Sequence, residues 1–153
     1  MDTIIFACKN FGGVEHRIEF VRELNGIKFY NDSKGTNVDS TIKAVEALEK
    51  PIILIVGGYD KNVDFNPLFE SFNGKVKTLI LVGDTKYKFY DSAKKNGFEN
   101  NIIVNDYREV VEKCFEIAES GDNVLLSPAS ASWDMFKSYE ERGNLFKKLV
   151  NEL

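Results

Sequence analysis

Ile52-Ile53-Leu54-Ile55-Val56-Gly57-Gly58 is the stretch that decides the fold. Five consecutive apolar residues, set between Pro51 and a glycine pair, make a strand with no polar face. That is the pattern of a sheet covered on both sides. Thr78-Leu79-Ile80-Leu81-Val82 repeats it and stops at Gly83, and Val124-Leu125-Leu126 repeats it once more before Ser127. Helical spacing fills the intervals. Val38, Ile42, Val45 and Leu48 predict a helix over residues 37–49, and a second helix is expected over 86–96. Ile102-Ile103-Val104 reads as a short strand. Val110, Val111, Cys114 and Ile117 then form the inward face of a helix over 107–120. Strands alternating with helices make βαβ units with right-handed crossovers. The expectation is an α/β, three-layer Rossmann-like domain with a mostly parallel sheet.

Toward the N-terminus, residues 17–24 alternate in polarity, and residues 27–30 form a second arm beyond Asn25-Gly26. Asn-Gly suits a type I′ turn, so an antiparallel hairpin strand joins the sheet. Residues 2–11 read as a short helix ended by Gly12-Gly13. At the other end Ser138-Tyr139-Glu140-Glu141 is a capping box opening a helix that carries Leu145, Phe146, Leu149 and Val150. Trp133 and Phe136, between the last strand and that helix, are expected in the core.

The chain has 153 residues, 43% of them hydrophobic and 29% charged, as in a one-domain globular protein. A net charge of −4 argues against a nucleic-acid surface. No apolar run reaches the roughly 18 residues of a membrane span. Cys8 and Cys114 form no disulfide framework, so a reducing cytoplasm is the expected setting. One histidine, His16, cannot assemble a metal site or a Ser–His–Asp set. Neither G-x-x-x-x-G-K-[ST] nor G-x-G-x-x-G follows a strand.

In an open parallel sheet, ligands sit beyond the carboxyl ends of the strands. That rule selects residues 31–37, 57–62, 83–86 and 127–132. The first of these, Asn31-Asp32-Ser33-Lys34-Gly35-Thr36-Asn37, carries an acid and a base that no cap requires. Thr36-Asn37-Val38-Asp39 fits a capping box with Thr36 as N-cap, which puts free N–H groups at the positive end of a helix dipole. That end favours an anion. Gly57-Gly58-Tyr59-Asp60-Lys61 lets backbone approach a ligand and offers Lys61 as a point charge. Ser127-Pro128-Ala129-Ser130-Ala131-Ser132 adds small residues and hydroxyls. Two readings stand at this point: a stand-alone α/β small-molecule-binding or regulatory domain, and a free-standing nucleotide-dependent enzyme on a Rossmann fold, which the absence of both glycine fingerprints disfavours.

Five motifs in order carry a resemblance. They are Gly13-Val14-Glu15-His16-Arg17-Ile18-Glu19, the 31–37 motif, Gly57-Gly58-Tyr59-Asp60-Lys61, residues 126–136, and Tyr139-Glu140-Glu141-Arg142-Gly143. Together they resemble the C-terminal domain of the Mur ligases, and within that family the branch that adds D-glutamate. The resemblance implies an ATP-dependent, acyl-phosphate-forming ligase of peptidoglycan and cell-wall synthesis, with roles in cell shape and division. Its N-terminal domain would hold UDP-N-acetylmuramoyl-L-alanine, and its central domain ATP and magnesium on a P-loop. Residues 1–153 would be the amino-acid-delivering domain, inactive alone. By position, Arg17 and Lys34 resemble the family's catalytic cations, and Arg17, Asp32 and Lys34 its nucleotide contacts. Thr36, Lys61, Ser132 and Tyr139 resemble its D-glutamate site, and no metal ligand is implied. Three departures are Gly35 where alanine is frequent, Ser130 where cysteine is, and Tyr139 where phenylalanine is. The Asp-Asn-Pro-Arg signature of the diaminopimelate-adding relatives does not occur.

Overall fold

The computed structural model describes residues 14–153. The helix expected over 2–11, its glycine end and Cys8 lie outside the described residues. Glu19–Leu24 (β1) and Ile27–Asn31 (β2) pair antiparallel. Asn25 and Gly26 turn the chain between them at φ 55° and 80°, the two positive values a type I′ turn needs. Ile52–Val56 (β3), Val76–Leu81 (β4), Asn101–Ile103 (β5) and Asn123–Leu126 (β6) complete a six-stranded sheet in the order β1-β2-β6-β3-β4-β5. Every pairing other than β1–β2 is parallel. The helices are Val38–Ala47 (α1), Asn66–Glu70 (α2), Lys86–Lys95 (α3), Tyr107–Ile117 (α4) and Tyr139–Asn151 (α5).

The apolar strands divide their side chains by parity, as a pleat requires. Ile52, Leu54, Val56, Leu79, Leu81 and Leu125 face Ala44, Val45, Leu68, Phe89 and Ala93 of α1, α2 and α3. Ile53, Ile55, Ile80, Val124 and Leu126 face Val110, Val111, Cys114, Phe146 and Val150 of α4 and α5. All five residues of β3 are fully buried. Hence the sheet is the middle of three layers, as the unbroken apolar runs predict. β6 forms last in sequence yet inserts between β2 and β3. That insertion sets the carboxyl ends of β2, β6 and β3 side by side, and it makes neighbours of loops distant in sequence.

Three expectations need correction, and one helix was not anticipated. The first strand begins at Glu19 and not at residue 17, because Ile18 has φ 45° and cannot continue a strand. Asn37, not Thr36, caps α1: it is extended, and its Oδ1 accepts from Ser40 N at 2.8 Å. The helix then runs over Val38–Ala47. Trp133 is 63% exposed and lies outside the core, whereas Phe136 is half-buried and packs against Tyr107. The Ser132 carbonyl accepts from both Met135 N and Phe136 N, a tight turn that sends Phe136 inward and leaves Trp133 outside. Finally, α2 is an element the reading passed over. Its signal is Phe65, Leu68, Phe69 and Phe72 at i, i+3, i+4 and i+7 around a single helical turn.

Phe65 stacks on Phe89 at 3.7 Å between ring centroids, and Phe89 is fully buried. Truncating Phe89 to alanine removes that stack and leaves a cavity under α2. Phe89→Ala is expected to cost about 3–5 kcal/mol of stability, measured as a shift of the urea midpoint with an unchanged slope.

Candidate functional site at the carboxyl edge of the sheet

The loops after the parallel strands are stitched to one another. Gly57 N donates to Pro128 O at 3.0 Å, Tyr59 N to Ala131 O at 2.9 Å, and Ala129 N to Gly35 O at 2.9 Å. The loop after β4 joins through Gly58 N donating to Thr85 Oγ1 and Thr85 N to Gly58 O, each at 3.0 Å. Such closeness needs glycine at two places. A Cβ on Gly57, at φ 119°, would lie 1.8 Å from Val82 O, and one on Gly58 would lie 2.4 Å from Ala131 O. The glycine pair therefore serves the packing of backbone on backbone within the edge.

The clasp over these loops is Arg142, on the first turn of α5 and 1% exposed. Its Nε donates to Ser33 Oγ at 2.9 Å, Nη2 to Ser33 O at 2.7 Å and Nη1 to Ser130 O at 3.0 Å. Ser33 Oγ in turn donates to Tyr139 O at 2.7 Å. One planar guanidinium so ties the loop after β2 to the loop after β6 and both to α5. Burial lowers the pKa of Arg142, and the charges of Tyr107, Asp134 and Asp32 raise it in part. Burial also pushes the Tyr107 phenol up to about 12. Among the described residues, the buried Ser130 Oγ has no hydrogen-bond partner. A thiol is a weaker hydrogen-bonding group than a hydroxyl, so cysteine, frequent here in the family that the motifs resemble, suits the position.

Arg17 closes a tight turn, its own N–H donating to Val14 O at 3.0 Å. The residues on either side have positive φ, 69° at His16 and 45° at Ile18, conformations held only where surroundings compel them. Here both neighbours are bonded to the loop after β2. The His16 carbonyl accepts from Lys34 N at 2.9 Å, and Ile18 N donates to Asp32 Oδ1 at 3.0 Å. The His16 ring is 3% exposed and lies 2.8 Å from Asn31 Nδ2 through its Nδ1. Asn31 Oδ1 already accepts from Ser33 N, so Nδ2 must donate and His16 Nδ1 must accept. The Nε2–H tautomer follows. A Cβ on Gly143 would lie 2.2 Å from His16 Nδ1, which explains a glycine inside α5.

Asp32 is 4% exposed, and both its oxygens are engaged, Oδ1 by Ile18 N and Oδ2 by Ser127 Oγ at 2.6 Å. Burial raises its pKa, against the lowering effects of those hydrogen bonds and of Arg17 and Arg142. Arg17, Asp32 and Lys34 together line one recess of about 80 Å³, with Ile18, Gly35, Ser40 and Lys43. The Lys34 ammonium also lies 6.0 Å from the centre of the Tyr139 ring. Thr36 is half-buried in the same loop. Lys61 is exposed in the next loop and Ser132 is buried, their segments joined by the Tyr59–Ala131 bridge. The edge thus holds a nested cation set at Arg17 and Lys34, and beside it Lys61 and Ser132. Sequence reasoning gave no role to His16, Arg142 or Gly143. The available signal was a lone arginine in the apolar-spaced first turn of the last helix, followed by a glycine.

Asp32→Asn keeps an acceptor for Ile18 N, presents an N–H donor to Ser127 Oγ in place of the acceptor there, and removes the ionisation. Because the folded-state pKa lies above the unfolded value near 3.8, the folded state binds the proton more tightly. This group's contribution is therefore lost as pH rises from about 3.8 through the folded pKa. Unfolding free energies of wild type and Asp32→Asn, taken from pH 4 to pH 7, are expected to diverge with pH, the variant gaining relative to wild type.

The profile of the family described as Mur ligase, glutamate ligase domain, matches residues 16–130. The chain is 56% identical over 154 residues to UDP-N-acetylmuramoylalanine–D-glutamate ligase of Thermoanaerobacter sp. (strain X514), covering 99% of this chain and 34% of that protein. It is 59% identical over 145 residues to the ligase of the same name from Caldicellulosiruptor saccharolyticus, covering 95% of this chain and 32% of the relative. Among solved structures, UDP-N-acetylmuramate-alanine ligase MurC of Thermotoga maritima superposes with a TM-score of 0.66 at 13% identity, over 97% of this chain and 33% of that one. The chain spans about a third of the length of the curated relatives it matches. With a family profile over residues 16–130 and relatives above half identity across nearly all of the chain, this protein belongs to the Mur ligase, glutamate ligase domain family.

Proposed function

We propose that this chain is the C-terminal domain of an ATP-dependent ligase that joins D-glutamate to UDP-N-acetylmuramoyl-L-alanine through an acyl phosphate. The observation that carries the reading is identity of 56% across 99% of the chain with a ligase named for that reaction. On this reading residues 1–153 deliver the amino acid, while a central domain supplies ATP and an N-terminal domain the UDP-sugar. Among the described residues, no three or more His, Cys, Asp or Glu side chains gather where they could hold a metal ion. On the ligase reading magnesium, where the reaction uses it, belongs to the central domain. No helix among the described residues is long and apolar enough to cross a membrane.

The edge supports a division of labour. Arg17 and Lys34 point charge at a phosphate, where developing negative charge is best met by donors already in place. Asp32 acts chiefly through position, since its carboxylate secures the turn that carries Arg17. Lys61 and Thr36 take the α-carboxylate of D-glutamate, and Ser132 with the Tyr139 segment takes the side-chain carboxylate. Two carboxylates require two separated donor sets, and the loops after β2, β3 and β6 supply them from one rigid edge. The amine is thereby held toward the acyl phosphate, so the gain is one of positioning.

The deciding assay follows ADP release and amide formation by the full-length ligase with D-glutamate and with other amino acids. Formation with another amino acid and not with D-glutamate overturns the substrate assignment. Lys61→Ala is expected to raise KM for D-glutamate by roughly 10- to 150-fold, the equivalent of about 1.5–3 kcal/mol for a charge-assisted contact, and to leave KM for ATP within about twofold. In a separate test, Arg17→Lys keeps the charge and loses the fork that grips two phosphate oxygens. Its kcat is expected to fall by about tenfold or more with an unchanged melting curve. Wild-type turnover would return Arg17 to an ordinary surface role.

A further inference from the structure

The recess beside Arg17 has a third cation. Lys43 lines it from α1, with Ser40 on the same face one turn earlier, while Arg17 and Lys34 line it from two loops. The one carboxylate in the lining is Asp32, whose two oxygens are turned into the protein by Ile18 N and Ser127 Oγ. Among the described residues no carboxylate lies within ion-pair distance of Arg17, Lys34 or Lys43. In a chain of net charge −4, three unpaired cations around one recess mark a locally inverted field. Like charges held together repel, and an anion seated between them relieves the repulsion.

We propose that Lys43, with Ser40, completes a phosphate-binding recess whose other cations are Arg17 and Lys34. Its ligand is a single phosphate group carrying at least two negative charges. The space of about 80 Å³ is well below the roughly 300 Å³ at which small-molecule pockets begin, and suits one phosphate group better than a nucleoside. The geometry therefore assigns the recess to a terminal phosphate or to free orthophosphate, with any nucleoside lying outside it. Lys43 adds a grip from a helix face where the other two come from loops. The placement rests on the proposed ligase reading for the source of the phosphate, but the site itself stands on the recess and its charges.

The test titrates inorganic pyrophosphate, orthophosphate, ADP and adenosine into the 153-residue chain at low salt, followed by the amide signals of Lys34, Gly35 and Ser40. Pyrophosphate is expected to move these signals and adenosine to leave them still. Lys43→Ala is expected to weaken pyrophosphate fivefold or more, Lys43→Arg to restore it, and Lys148→Ala, which removes an exposed charge on α5, to change nothing. Equal pyrophosphate affinity in Lys43→Ala and wild type, or an equal loss in Lys148→Ala, overturns the proposal, as does silence at the three amides. Dependence on Lys43 seen with ADP assigns the phosphate to a nucleotide; dependence seen with orthophosphate and not with ADP assigns it to the released product. Ligation of D-glutamate by the full-length enzyme is scored separately. Its failure, with Lys43-dependent pyrophosphate binding intact, removes the ligase reading and leaves the site.

Discussion

A buried guanidinium holds the working edge together. Arg142 reaches Ser33 through two nitrogens and Ser130 through a third, and it has no carboxylate partner at ion-pair distance among the described residues. Removing a cation from water is costly, and here two carbonyls and a hydroxyl offset the cost. Lysine could not substitute, because a point charge cannot address two loops in one plane. With the clasp in place, the loops after β2 and β6 take up fixed positions. The Arg17 turn then hangs from the first of them by one bond on each side.

The same arrangement separates two kinds of charged group. Arg142 and Asp32 are inside and spend their hydrogen-bonding capacity on architecture. Arg17, Lys34, Lys43 and Lys61 are at or near the surface and keep theirs for something else. Asp32 neighbours the open cations without neutralising them by contact, because its oxygens face Ile18 and Ser127. In that way a chain with an excess of acid maintains a positive recess.

The fold was legible because its decisive signals are local. The run Ile52–Val56 is rich in β-branched residues, only five residues long and bounded by Pro51 and a glycine pair, which separates a strand buried on both faces from a buried helix, and Asn25-Gly26 is the favoured dipeptide of a tight hairpin turn. The set of loops was legible for the same reason, since parallel strands fix which ends carry function. Legibility failed where the outcome depends on contacts distant in sequence. Trp133 and Phe136 are both aromatic and three residues apart, and only the turn at Ser132 decides which goes inward. Thr36 and Asn37 are both good caps, and the extended backbone at Asn37 decides between them. Arg142 reads as one more surface charge on a helix until β6 inserts between β2 and β3. His16, whose ring depends on a glycine far along the chain at Gly143, was hidden in the same way.

The hydrogen bonds from Gly57 to Pro128, from Tyr59 to Ala131 and from Ala129 to Gly35 have a consequence for how the molecule fails. Loops ordinarily open one at a time, at little cost, independent of the core. These cannot, because each is bonded to a neighbour that continues a buried strand. The edge therefore belongs to the same cooperative unit as the sheet beneath it. A substitution that weakens the core yields fewer folded molecules, each with an intact edge, instead of a full population with a slackened one. In a cell such damage is felt as dosage, and extra copies of the weakened protein would restore what affinity had never lost.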